Sequence, residues 1–403
     1  MRLDFIFDEL NSLKEHALMR EYRTVESAQG PYIQIKGKSY LSFCSNNYLG
    51  LADHPRIKQA AIAAINQYGW GTGASRLVAG NMTLHEELEK KIAGFKGTEA
   101  ALLFPTGYMA NVGALCALVG REDIVVGDKL NHASIIDGCR QSGAIFRVYP
   151  HNDVRQLESL LQRSSIYRRR LVVTDSVFSM DGDTAPLPKI AEIAQKYDAI
   201  LMIDDAHATG VFGRQGKGMI EHCGLEGKVD IIMGSLSKAI GSIGGFIAGS
   251  KCLIDFLKNK ARPFIYTTAL PPAACAASLA GLTLIQEDTS HIDRLWENIK
   301  YLKSQLSEFI SNISGGSPIV PIIIGSAEDA LCISERLYEK GILIPAIRPP
   351  TVPLGTSRLR ISLMATHSKE DINRLIDAMK DIGFLTHGNT IHPKAGYAQT
   401  DVG

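Results

Sequence analysis

From about residue 45 to about residue 270, short unbroken apolar runs alternate with longer segments whose apolar positions recur every three to four residues. The runs are "AALLF", "DIVVGD", "AIFRVY", "RLVVTDSV", "AILMIDDA", "VDIIMGS" and "GGFIAG". They are rich in Val and Ile without polar alternation, which predicts strands buried on both faces. "TLHEELEKKIAGF" and "LPKIAEIAQKY" carry the helical period between them. Strands alternating with helices predict an α/β fold built on a large, mostly parallel sheet. After Pro271 and Pro272, "LPPAACAASLAGLTLI" starts a long helix that leads into a smaller α+β C-terminal domain. That domain has strand patterns at "SPIVPIIIG", "ILIPAI" and "LRISLMAT", and helix patterns at "AEDALCISERLYEKG" and "SKEDINRLIDAMKDIG". The chain opens on an amphipathic helix, "MRLDFIFDELNSLKEH", then an extended piece, "YIQIKGKSYLSF". The expected organisation is an N-terminal segment 1–45, a large domain 46–280, a small domain 281–386 and a tail 387–403 with little periodicity.

Composition narrows the function classes. The 43 basic and 42 acidic residues nearly cancel, which argues against a general nucleic-acid or membrane surface. Acidic residues interrupt the first apolar pattern, so it does not read as a secretory signal, and the weakly polar run Ala273 to Ile285 is too short to span a bilayer. A cytoplasmic protein is expected. The seven cysteines contain no C-x-x-C pair, so neither a disulfide framework nor a zinc site is expected, and no metal is assigned.

In sheets of this kind ligands gather at the carboxyl ends of the strands. Three predicted strands end in polar clusters: Asp175, Ser176, Ser179 and Asp181; Asp204, Asp205 and His207; Ser235, Ser237 and Lys238. Lys238 stands in "GSLSKAIGSIGG" with no other charge near it. Desolvation there would favour the neutral amine that a Schiff-base lysine needs; the alternative is a lysine whose ammonium reaches solvent. Asp204 and His207 are open to three readings: a metal pair, helix-capping residues, or a carboxylate on a protonated ring nitrogen beside an imidazole on a neighbouring oxygen. Gly107 in "FPTGYMANVGAL" sits at a strand-to-helix turn, either an anion site at a helix start or an ordinary turn. "GWGTGAS" holds G-x-G-x-x-A but follows no strand, so it is not read as a dinucleotide site. His132 can stack on a ring or serve structure. Arg358 and Arg360 can each grip a carboxylate or lie on an edge strand, and Arg20 and Arg23 read as charges at a helix end.

Ser235 to Lys238 is also S-x-x-K, the spacing of a serine nucleophile beside a lysine base. That class also needs S-D-N and K-T-G elements; the chain has only "SNN" at Ser45 to Asn47, ahead of the S-x-x-K, and no K-T-G. A binding module without catalysis would leave the grouping of Lys238, Asp204, His207 and His132 unexplained.

The segments "SNNYLGL", "TGYMAN", "NHASIIDG", "FSMDGD", "DDAHATGVFG", "SLSKAIGSIGG" and "AIRPPTVPLGTSRLR" together resemble the α-oxoamine synthases, enzymes that use pyridoxal 5'-phosphate (PLP) on the aspartate-aminotransferase fold (fold type I). The resemblance runs from about "REYRTVES" to "LRISLMATHS". It implies that Lys238 forms the Schiff base with the cofactor, Asp204 pairs with the pyridinium nitrogen, His207 meets the phenolic oxygen and His132 stacks on the ring. It implies a phosphate site from Gly107, Tyr108 and Ser235, with Ser179 close by. Ser235 stands where relatives often carry threonine, which keeps the hydroxyl. Thr267 and Thr268 would reach the phosphate of a neighbouring subunit, making the active unit a homodimer. Arg360 would hold the amino-acid carboxylate, with Thr351, Asn47 and Ser75 in the substrate site, and Arg20 (or its competitor Arg23) would meet the acyl donor. "AIRPPTVP" implies the branch that joins L-alanine to pimeloyl-CoA or a pimeloyl-carrier protein, giving 8-amino-7-oxononanoate for biotin; glycine- or serine-using relatives are the alternative.

Overall fold

The structure is a computed structural model and describes residues 2–310 and 316–385. Every apolar run of the central region forms a strand, and the seven make one sheet. Its order is Ala100–Phe104, Gly245–Gly249, Ile231–Ser235, Ile200–Asp204, Arg170–Asp175, Ile124–Asp128, Ile145–Tyr149. Gly245–Gly249 runs antiparallel to both neighbours, and the remaining pairs are parallel. Both faces are covered, as the unbroken patterns require. Along Arg170–Asp175, Val172 joins one core cluster while Leu171 and Val173 join the other, and all three are fully buried. Ile203 and Met202 divide in the same way on the next strand. Each such side chain is worth about 1.5–3 kcal/mol against full exposure, so the sheet is a rigid platform.

Four adjacent parallel strands end in polar residues: Asp128, Asp175, Asp204 and Ser235. Asp175 and Asp204 are direct register partners. One edge of a hydrophobic sheet therefore carries a row of side chains able to do chemistry.

The long helix predicted after Pro271 spans Pro272–Glu287 and packs against helices Pro55–Tyr68 and Thr83–Lys96. In the C-terminal region, Ile319–Gly325 and Ala346–Ile347 flank Ser357–Ser362 in an antiparallel sheet. "ILIPAI" is one pattern in the sequence but two strands in the structure. Ile342–Leu343 pairs instead with Lys38–Ser42, and so joins the sheet begun by Tyr32–Ile35. Pro345 between them lacks the N–H that would continue a ladder. The N-terminal extended segment is thus tied to the C-terminal region by strand pairing. The first helix forms at Phe5–Glu15 with no buried residue. No described helix is long and apolar enough to cross a membrane. The expected tail, 387–403, lies outside the described residues.

Candidate active site

The polar edge of the sheet opens on a cavity of about 200 Å3, to which Asp175, Asp204, Ser235 and Lys238 all contribute. Helix Gly107–Leu118 begins at the same place, with Thr106 as its cap accepting from Met109 N at 3.1 Å. A Cβ on Gly245 would lie 2.5 Å from Gly107 Cα and 2.7 Å from Thr106 O, so only glycine lets the helix start sit against that strand. The free N–H groups of a first helical turn favour an anion there. The Ser235 hydroxyl accepts from Ser237 N at 3.1 Å and lies 3.5 Å from Gly244 O. Its partners are backbone groups, which does not suit a serine nucleophile activated by Lys238.

Lys238 is half-buried. Desolvation holds its amine below the usual lysine range; Asp204 and Asp175 oppose this and Arg360 adds to it. Asp204 Oδ2 accepts from Asn111 Nδ2 at 2.7 Å, and its Oδ1 accepts from Ala206 N at 3.0 Å. Asn111 also donates to Ser134 Oγ at 2.9 Å. Nothing in the local sequence singles out Asn111, although it lies one turn from Gly107 and so on the same helix face. Asp175 accepts from His132 N at 2.7 Å, while burial, with Asp204 adding, raises its carboxyl well above the ordinary range.

His132 caps helix Ala133–Gln141, its Nδ1 accepting from Ser134 N at 3.3 Å. Its pKa is lowered, first by burial, with Asp204 opposing and Lys238 reinforcing. Burial, then the cations Lys238 and Arg360 and the His132 ring, press His207 well below its usual value, so its imidazole is neutral. His207 Nδ1 lies 2.7 Å from the Tyr48 hydroxyl.

Buried Arg360 donates from Nε to Ser179 O at 2.5 Å, from Nη1 to Ser362 Oγ at 2.7 Å and from Nη2 to Asn46 Oδ1 at 3.2 Å. Guanidinium has five N–H groups, so two remain for an incoming carboxylate. Arg358 is a brace instead, bound to Asp181 at 2.6 Å and Met180 O at 3.2 Å. Buried Asn47 accepts from Ala52 N through Oδ1, while its Nδ2 has no partner.

His132 also borders a larger cavity of about 700 Å3, shared with Ser179, Thr351, Val352 and Leu354. Arg20 reaches it, with Nη2 at 3.5 Å from Thr351 Oγ1. Arg23 turns elsewhere: it pairs with Glu335 and lies 3.7 Å over the Tyr338 ring. Thr267, Thr268 and Ser75 line a third, open cavity of about 470 Å3, with Ser75 bridged to Thr268. Within one chain these three stand apart from Lys238.

PLP fits the residues of the smaller cavity. They offer an amine for its aldehyde, a carboxylate for its ring nitrogen, a neutral imidazole for its phenolic oxygen, and a helix start with a hydroxyl for its phosphate. A flat imidazole stands beside them.

Residues 38–379 match the family model for aminotransferase class I and II. The chain belongs to this family. Among curated members, it is 46% identical over 378 residues to 8-amino-7-oxononanoate synthase 1 of Bacillus subtilis, covering 94% of this chain and 96% of that one. It is 49% identical over 381 residues to 8-amino-7-oxononanoate synthase of Geobacter sulfurreducens, covering 94% and 97%. Among solved structures it resembles serine palmitoyltransferase from S. paucimobilis with bound PLP–myriocin, at TM-score 0.89 and 32% identity, covering 95% and 98%. The resemblance to the α-oxoamine synthases and the expected fold type are borne out.

Proposed function

We propose that this aminotransferase-family chain is a PLP-dependent acyltransferase that condenses L-alanine with a pimeloyl thioester, releasing 8-amino-7-oxononanoate, carbon dioxide and free thiol in biotin synthesis. One observation carries the chemistry: the Lys238 amine, Asp204, His207 and a helix start meet in a single cavity. The substrate class rests on relatives of that name at 46% and 49% identity over nearly the whole chain, against 32% for the serine palmitoyltransferase.

When bound, PLP supplies the electron sink that makes an amino acid's α-proton removable. The first helical turn at Gly107 and Tyr108, with Ser235, holds the phosphate. Asp204, itself gripped by Asn111 and Ala206 N, holds a proton on the ring nitrogen. His132 covers one ring face, and Ser179 lies across the larger cavity that His132 also borders. Arg360 turns its two remaining N–H groups to the alanine carboxylate, with Asn47 beside it. Lys238, whose amine desolvation holds below the usual lysine range, takes the α-proton on Nζ and later returns one. The acyl chain lies along Val352 and Leu354 in the larger cavity, with Thr351 and Arg20 as its polar contacts. In the net reaction the alanine α-carbon bonds to the thioester carbonyl carbon, the thiol departs, and the alanine carboxylate leaves as carbon dioxide.

A homodimer completes the site in this reading. Thr267 and Thr268 would reach the phosphate of the other subunit's cofactor, and Ser75 would line its substrate space. Leu77, Val78 and Tyr266, all strongly exposed, line the same cavity as those residues and suit a second copy of the chain.

The test is an assay of the PLP-loaded protein against alanine, glycine and serine paired with pimeloyl, acetyl and palmitoyl thioesters. Alanine with the pimeloyl donor should turn over fastest. Preference for serine with palmitoyl, or for glycine with acetyl, would replace this substrate assignment.

A further inference from the structure

Tyr48 is fully buried, and two groups claim its single hydroxyl proton. His207 Nδ1 is 2.7 Å away and Asn46 Oδ1 is 3.2 Å away. Asn46 Oδ1 already receives a charge-assisted hydrogen bond from Arg360 Nη2 at 3.2 Å. His207 Nδ1 has no other partner among the described residues. At 3.2 Å the Asn46 contact is longer than the usual range of about 2.5–3.0 Å for a hydroxyl donating to an oxygen, whereas the 2.7 Å contact to His207 Nδ1 is of full strength, and Asn46 Oδ1 is already served by Arg360. The proton therefore belongs on the Tyr48-to-His207 contact.

The consequence reaches the cavity. His207 is neutral, pressed down by burial and by Lys238, Arg360 and His132, so it carries one ring proton. If Nδ1 accepts from Tyr48, that proton sits on Nε2. If Nδ1 carried it instead, Tyr48 would turn to Asn46, and Nε2 would offer a lone pair to the site. The first arrangement donates to an anionic phenolic oxygen; the second repels it.

We infer that Tyr48 is a positioning residue that fixes His207 as the Nε2–H tautomer, making it a hydrogen-bond donor toward the cofactor's phenolic oxygen. This rests on the PLP reading above for its purpose, but not for its geometry. Tyr48 acts through His207 and touches neither substrate nor reacting atom.

Nitrogen-15 NMR of histidine-labelled apoprotein tests it, with the His207 signals identified by their loss in His207→Asn. In the unmodified protein Nδ1 should show the shift of an unprotonated ring nitrogen and Nε2 that of a protonated one. The reverse pattern overturns the inference whatever any variant does. Tyr48→Phe should move the His207 signals toward a tautomer mixture and raise the apparent dissociation constant of PLP about ten-fold, as the loss of one hydrogen bond to a charged oxygen would. Asn46→Ala, which removes only the competing acceptor, should leave the tautomer unchanged. Unaltered tautomer and affinity in Tyr48→Phe, or a switched tautomer in Asn46→Ala, refutes it. Failure of the unmodified protein to bind PLP would instead sink the functional reading and leave the apoprotein measurement intact.

Discussion

The cavity residues carry different shares of the chemistry. Lys238 is proposed to move the α-proton itself. Lys238→Ala should cut turnover at least about a thousand-fold while the fold persists, since a positioned acid–base group contributes about 10²–10⁴-fold and this one is also proposed to anchor the cofactor. Steady-state assay with a far-ultraviolet circular dichroism control checks this, and turnover near the unmodified level would remove Lys238 from its role. Asp204 is proposed to work by charge. Asp204→Asn leaves Asn111 facing an amide and should slow alanine α-proton exchange in heavy water about a hundred-fold or more, the scale of a lost electrostatic partner. Unchanged exchange would show that the ring nitrogen needs no anion here. Lys238, Asp204 and His207 were legible in sequence because each follows the end of an unbroken apolar run, where the parallel sheet delivers its side chains. Asn111 and Tyr48 were not. Their importance lies in which groups they meet, Asp204 and His207, at 93 and 159 residues' separation, and no local pattern encodes that meeting.

The strands and helices are held in place at their ends by polar struts behind the cavity. His151 joins strand end Asp128 to the turn at Asp183, with Nδ1 at 3.0 Å from one carboxylate and Nε2 at 2.8 Å from the other. Desolvation pulls its pKa down, but the hydrogen bonds and charges of Asp128 and Asp183 outweigh this and push it up to about 10. The folded protein therefore holds this proton more tightly than the unfolded chain. Its stabilisation is complete below about pH 6.5, the unperturbed value, and is lost as pH rises through about 10. His151→Gln should cost about 2 kcal/mol near pH 6, two charge-assisted bonds discounted for a partly exposed ring. The difference from the unmodified protein should shrink by pH 10. Urea unfolding at the two pH values decides it, and a pH-independent difference would mean that the ring acts by packing alone. Lys96 makes a deeper strut, donating to Asp205 at 2.8 Å and Thr209 at 2.7 Å with its side chain almost wholly buried. Lys96→Met should cost about 3–5 kcal/mol by stranding the buried Asp205 charge; a loss below about 1 kcal/mol in the same unfolding experiment would show that the pair is not a stabilising strut. The seven sheet strands were readable from their unbroken apolar runs, because burial on both faces writes itself into composition; helices such as Thr83–Lys96 and Leu187–Lys196 were readable from their period, whereas Ser290–Leu306 was not among the predicted elements. The split of "ILIPAI" was not, since which sheet each half joins depends on Lys38–Ser42, some 300 residues earlier.

At the scale of the whole molecule, one chain leaves two things unfinished. The residues the resemblance assigns to a phosphate, Thr267 and Thr268, open on a cavity of about 470 Å3 that excludes Lys238. Around that cavity, Val78 is 81% exposed, Tyr266 71% and Leu77 57%. Large apolar side chains grouped in this way are normally covered by something. A two-fold partner would cover each chain's patch with the same patch of the other, and would carry each chain's threonines to the other's cavity. Both features then have one cause, which predicts that assembly and cofactor retention fail together. Val78→Asp places a charge in the proposed contact while touching neither Lys238 nor Asp204. It should shift the protein from dimer to monomer in sedimentation velocity, weaken PLP retention and lower turnover at least about ten-fold, since burying an unpaired carboxylate costs several kcal/mol. Raising the protein concentration should restore part of each. A fully active unmodified monomer would refute the shared site, as would a monomeric Val78→Asp protein that binds PLP and turns over normally. In either case, Lys238 and its neighbours within one chain would have to suffice.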